Sequence, residues 1–104
     1  CCRILNMKAQ LLIQTNQRFH ADAVAHLTIW TLPMPVRGSQ HHYKYRLAYV
    51  VNDVCVLRYD NEAGKGDHRH IGDVETSYTF IDTDTLIDDF MADIARWNNE
   101  HSLV

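Results

Sequence analysis

Tyr43-Lys44-Tyr45-Arg46-Leu47-Ala48-Tyr49-Val50-Val51-Asn52-Asp53-Val54-Cys55-Val56-Leu57-Arg58-Tyr59 decides the fold. In an extended chain Tyr43, Tyr45, Leu47 and Tyr49 share one face, and Lys44, Arg46, Ala48 and Val50 share the other. Asn52-Asp53 offers the residue types that tolerate positive φ in a two-residue turn. Val54 to Tyr59 then returns as the partner strand, so the stretch reads as a β-hairpin.

The flanks fit around that hairpin. Lys8 to Gln14 holds Leu11, Leu12 and Ile13 without helical spacing or a cap, which predicts a first strand, followed by a turn within Asn16 to Asp22. Val24, Leu27, Ile29, Trp30 and Leu32 predict a second strand antiparallel to it. Pro33-Met34-Pro35-Val36-Arg37-Gly38-Ser39 ends that strand in a loop reaching His41, because proline cannot donate to a ladder. Beyond the hairpin, Ile71-Gly72 reads as a turn and Ser77 to Ile81 as a short strand with Tyr78 and Phe80 on one face.

Asp82-Thr83-Asp84 marks a helix start, since these side chains cap free N–H groups and acids suit the positive end of the helix dipole. Leu86, Phe90, Ile94 and Trp97, with Ile87 and Met91 beside them, form an apolar stripe; Asp88, Asp89 and Asp93 take the other side. Such a stripe is core packing rather than a cofactor site. The fold class expected is α+β: an antiparallel β-sheet of about five strands with one C-terminal α-helix packed on it.

At 104 residues, 46% hydrophobic and 22% charged, the chain has the length and composition of one globular domain. That domain is expected over residues 7–104, with the irregular residues 1–6 a leader or appended segment. No apolar run approaches the ~20 residues that cross a bilayer. Nor is there a basic-then-apolar leader ending in small residues, so no membrane partner is expected and the cytoplasm is the default. Cys1, Cys2 and Cys55 make no disulfide framework and no Cys-ligated zinc site, which suits a reduced compartment. Cys55, in its apolar run, is expected to behave as a small hydrophobe.

The net charge of −3 conceals an asymmetry. From Arg37 to His70 there are six bases (Arg37, Lys44, Arg46, Arg58, Lys65, Arg69) against four acids, together with four of the seven histidines. From Asp73 onward there are eight acids and a single base, Arg96. The middle of the chain can therefore present a local positive face, or a solvated surface of interspersed charge.

Reactive side chains concentrate in Tyr59-Asp60-Asn61-Glu62-Ala63-Gly64-Lys65-Gly66-Asp67-His68-Arg69-His70. Metal-free RNA cleavage needs a base for the 2′-hydroxyl proton, an acid for the leaving oxygen and cations for the phosphorane charge. Histidine is the side chain suited to both proton-transfer roles, and His68 and His70 are the candidates. Asp60 or Asp67 can orient a histidine, Lys65, Arg69 and Arg46 can hold phosphate, and Gly64 and Gly66 let backbone approach it. Tyr43 and Tyr45 offer rings for base stacking on an exposed sheet face. No cofactor is expected on this reading. A metal-dependent hydrolase using a divalent metal is the alternative: His68 and His70 point to one side of a strand, with Asp67 beside them and Asp60, His41 or His42 able to complete the set. A third reading makes Asp60-Asn61 a turn bonded to its own backbone, followed by a solvated Gly-rich loop. Isolated His20, His26 and His101 are read as structural. A non-catalytic module binding RNA or a protein partner on the same basic, aromatic face remains the alternative to an enzyme.

Tyr43-Lys44-Tyr45-Arg46-Leu47, the Tyr59-Asp60-Asn61 triplet, Asp67-His68-Arg69-His70 and the Leu/Phe-rich C-terminal helix together resemble the TumE-type toxins of bacterial toxin–antitoxin modules. The resemblance runs from about Met7 to Trp97. It implies a small cytoplasmic protein paired with a helix-turn-helix antitoxin, and a ribonuclease acting on an RNA substrate. Asp60, Asn61, His68 and His70 carry over by position as catalytic residues, with Asp60 and Asn61 orienting the histidines. Lys65 does not carry over, because Glu62-Ala63-Gly64-Lys65-Gly66 stands where many members have a first histidine pair. A homodimer through an edge strand is a further expectation.

Overall fold

The computed structural model describes residues 9–102. The expected leader, Met7 and the start of the first strand at Lys8 lie outside the described residues. Among the described residues, six antiparallel strands form one sheet in chain order: β1 (Gln10–His20), β2 (Ala23–Thr31), β3 (Tyr43–Val51), β4 (Val54–Glu62), β5 (Gly66–Ile71) and β6 (Val74–Ser77). One helix, α1 (Thr83–Glu100), follows and packs on one face. The α+β class stands, with six strands rather than five.

The β3–β4 turn has the required backbone: Asn52 and Asp53 sit at φ +52° and +65°, and Val51 pairs with Val54. Positive φ at both central residues gives the turn whose twist matches that of its strands. Ala25, Leu27 and Ile29 of β2, Tyr45, Leu47 and Tyr49 of β3, and Leu57 and Tyr59 of β4 are buried together with Leu86, Phe90 and Ile94 of α1. The stability of a helix of 18 residues in a protein comes mostly from packing of its apolar face. Burial of Leu86, Phe90 and Ile94, about 1.5–3 kcal/mol each, is what holds it. Asp82 caps the helix, its side chain accepting from Thr85 N–H at 2.7 Å.

Several boundaries differ from the sequence reading. β1 runs on through Asn16 to His20, paired with β2 throughout, so the turn is only Ala21-Asp22. As an edge strand exposed along nearly its whole length, β1 shows no alternation that could have marked its extent. The Ser77–Ile81 strand is displaced to Val74–Ser77. Tyr78 and Phe80 do turn inward, as their alternation implies: Tyr78 meets Tyr59 edge to face, and Phe80 stacks on His41. Asp93 is not on the solvent side. It is buried, accepts from the Tyr59 hydroxyl, and lies 3.4 Å from Arg69 Nη1 and 2.6 Å from Arg96 Nη1. Two guanidinium groups make burial of that carboxylate tolerable. Cys55 is exposed.

The largest revision concerns the reactive stretch. Asp60-Asn61 is neither a turn nor a hairpin end: β4 continues through Glu62, and Gly66 to Ile71 pairs with it as β5. Asp and Asn are poor strand formers, so propensity alone stops the strand at Tyr59. Side-chain chemistry carries it further. The β3–β4 ladder ends at Arg46–Asp60, and there the Asn61 carboxamide acts as a surrogate peptide. Its Oδ1 accepts from Tyr45 N–H at 3.0 Å, while Nδ2 donates to the Tyr43 carbonyl at 2.7 Å and to Ser39 Oγ at 3.3 Å. Asn61→Ala strands the buried Tyr45 N–H, and the expected loss is about 1–3 kcal/mol for that group. Urea unfolding checks it; a change within a few tenths would show that the carboxamide is dispensable.

Candidate functional site

Strand alternation sorts the reactive residues onto two faces. Across β3, β4 and β5, Arg46 pairs with Asp60 and Asp60 with His68. In the next row Arg58 pairs with His70 and His70 with Glu75. Register partners share a face, so these rows lie on the side of the sheet that α1 leaves uncovered.

On that face His68 Nδ1 lies 3.1 Å from the Gly66 carbonyl, which accepts only a proton-bearing nitrogen. The exchanging atom of His68 is thus Nε2, and it sits 2.8 Å from Asp60 Oδ1. The pair meets the distance of a hydrogen bond but not its direction, so both atoms are buried without a hydrogen-bond partner. His70 Nε2 receives Arg58 Nη2 at 2.9 Å. A guanidinium always donates, so His70 Nε2 carries a lone pair. Arg58 Nε lies 3.2 Å from Asp60 Oδ2. The two imidazoles meet edge to face, with ring centres 5.1 Å apart.

A charged clasp lies over the group. Lys65 Nζ is 3.8 Å from Glu62 Oε1 and 3.4 Å from Glu75 Oε2. Those same carboxylate oxygens stand 3.4 and 3.6 Å from His68 Nε2. Desolvation, the largest single influence, pushes the Glu75 carboxyl up, but the Lys65 charge and hydrogen bond, with His70 and His68, together hold it below the ordinary value. Beneath this clasp the His68 side chain is 5% exposed, against 22% for His70. His70 is therefore the more accessible of the two imidazoles.

The other face holds Asn61, Asp67 and Arg69, and none of them reaches the histidine pair. Asn61, expected to orient the histidines, instead bonds Tyr45 and Tyr43 at the β3–β4 junction. Asp67 is a structural hub: it accepts from Ser39 Oγ at 2.5 Å and Tyr45 Oη at 2.7 Å and lies 2.6 Å from His41 Nε2. It is therefore not a ligand beside His68 and His70, since adjacent strand residues point to opposite faces. Arg69 is turned toward Asp93 and the Tyr59 hydroxyl, not toward phosphate. Tyr45 is 1% exposed and offers no stacking surface. Burial, then its hydrogen bond to Asp67, pushes its phenol far up. Tyr43 is half-buried on the same helix-bearing face and packs on Phe80 and His41.

The glycines serve packing. A Cβ on Gly66 (φ +76°) would stand 2.7 Å from the Gly38 carbonyl oxygen. Gly64 N–H donates to the Arg37 carbonyl at 2.7 Å. The Pro-rich loop thereby seats on the β4–β5 turn, rather than that turn opening to a phosphate.

Of the expected residues, the fold brings together Asp60, His68 and His70, with Lys65 above them and Arg46 opposite Asp60. The sequence reading missed Arg58, Glu62 and Glu75. Once β4 is seen to run through Asp60, period-two alternation puts Arg58 and Glu62 on the Asp60 face. Glu75 follows only from the β5–β6 register.

Compared with known proteins, residues 7–98 match the family model described as Toxin TumE. No curated protein and no solved structure matches.

Proposed function

The chain belongs to the Toxin TumE family, and we propose on that footing that it is the toxin component of a bacterial toxin–antitoxin module that cleaves RNA by metal-free acid–base chemistry. The observation that carries this reading is the pairing of two Nε2 atoms on the sheet face opposite α1. That of His70 holds a lone pair, and that of His68 has the Asp60 carboxylate 2.8 Å away.

In this mechanism a scissile phosphate competes with Glu62 and Glu75 for Lys65, and with Asp60 and His70 for Arg58. Arg58 moves to the phosphate and leaves the His70 lone pair free. His70 Nε2 takes the 2′-hydroxyl proton as O2′ attacks phosphorus. His68 gives its Nε2 proton to the departing 5′ oxygen, with Asp60 as counter-charge. Arg58, Lys65 and Arg46 neutralise the charge that develops on the phosphorane oxygens. The products are a 2′,3′-cyclic phosphate and a 5′-hydroxyl.

The partners on this reading are RNA and a helix-turn-helix antitoxin, with the cytoplasm as the setting. No helix among the described residues is long and apolar enough to cross a membrane. The outer edge of β1 is the strand edge through which two copies would pair. The test is cleavage of a structured RNA by the purified chain in EDTA, beside His68→Ala. Cleavage is expected to survive EDTA and to be lost in the variant. Cleavage that EDTA abolishes overturns the metal-free mechanism, and salt-dependent binding without turnover makes the protein an RNA-binding module instead.

A further inference from the structure

We propose that Asp60, His68 and His70 form a binding site for a divalent transition-metal ion such as zinc, with Glu75 as the fourth ligand. Each of the three offers a ligand atom, and these atoms lie within 4.8 Å of one another. His68 is set for the task by the Gly66 carbonyl at 3.1 Å, because a histidine whose Nδ1–H is held by backbone presents Nε2 to a metal. Nε2 of His68 and Oδ1 of Asp60 are buried and without a hydrogen-bond partner, in residues only 4% and 8% exposed. Buried lone pairs call for a donor or a cation. Glu75 Oε2 stands 3.6 Å from Nε2 of both His68 and His70, equidistant between the imidazoles.

The donor set decides the class of ion. Two imidazoles and two carboxylates suit zinc and its neighbours, whereas magnesium and calcium favour all-oxygen sites. Arg58 is the competitor. Its guanidinium lies 3.2 Å from Asp60 Oδ2 and 2.9 Å from His70 Nε2, placing positive charge beside the same atoms. Its side chain is 30% exposed, so the ion displaces it toward solvent. Removing that cation therefore tightens metal binding, the reverse of what a merely structural arginine predicts.

The ion occupies both nitrogens that cleavage uses, taking the His70 lone pair and the place of the His68 Nε2 proton, so zinc inhibits the enzyme. That inhibition rests on the ribonuclease reading, whereas the binding itself does not. The experiment is cobalt(II) titration of the EDTA-stripped full chain, followed by visible absorption and reversed by zinc. Wild type is expected to give one tight site. His70→Gln and Asp60→Asn should weaken it on the order of 10–100-fold or more, and Arg58→Gln should tighten it, with circular dichroism confirming the fold of each. Binding absent from wild type, or unchanged in His70→Gln and Arg58→Gln alike, overturns the proposal. If cobalt binds as expected and zinc activates cleavage, the site stands and the metal-free mechanism falls. If no cleavage is seen at all, the cobalt titration still decides the site.

Discussion

His70→Ala is expected to slow RNA cleavage by about 10²–10⁴-fold, the range that a positioned general base contributes. Little stability should go with it. The His70 side chain is 22% exposed, and its one hydrogen bond goes to Arg58, which keeps Asp60 at 3.2 Å. Rate and thermal unfolding measured on the same preparation check both halves. His68→Ala gives a useful contrast: its side chain is 5% exposed and packs among Asp60, Glu62 and Glu75, so it should lose activity and stability together. A His70→Ala variant that cleaves within a few-fold of wild type would remove His70 from the chemistry.

Phe90→Ala should cost about 3–5 kcal/mol, the usual loss for a large aromatic deleted from a core. Phe90 is fully buried and meets Tyr59 edge to face, with ring centres 5.7 Å apart. Whole-domain stabilities run at about 5–15 kcal/mol, so this one change takes a large share. The consequence reaches the site, because Tyr59 precedes Asp60 on β4 and its hydroxyl is held by Asp93 of α1. Denaturant unfolding checks the loss. A cost below about 1 kcal/mol would mean that the helix stripe is not the anchor described.

What was legible in the sequence, and what was not, follows from which interactions are local. The Tyr43–Val51 strand, its Asn52-Asp53 turn and the Leu86–Trp97 stripe declare themselves, because alternation, positive-φ residues and helical spacing are written in neighbouring positions. Asp60-Asn61 did not, because strand continuation there depends on an Asn61 carboxamide bonded to residues 16 and 18 positions earlier. That single extension sets the faces. With Asp60 in a strand, His68 and His70 join it and Arg58, whereas Asn61, Asp67 and Arg69 turn toward the helix side. The density of reactive residues pointed to this candidate site, but composition carries no parity. Arg58 and Glu62 were missed because Asp60 was left outside the strand, and Glu75 because it belongs by register, which is a tertiary fact.

The central claim is that the two histidines transfer protons during attack of a 2′-hydroxyl on its own phosphate. The most direct measurement is the chemistry of the cut ends, read on an RNA substrate and on the same RNA with a 2′-deoxy residue at the cleavage position. The mechanism predicts a 2′,3′-cyclic phosphate, a 5′-hydroxyl, and no cut at the deoxy position. A 5′-phosphate product, or cleavage of the deoxy substrate at an unchanged rate, would contradict it.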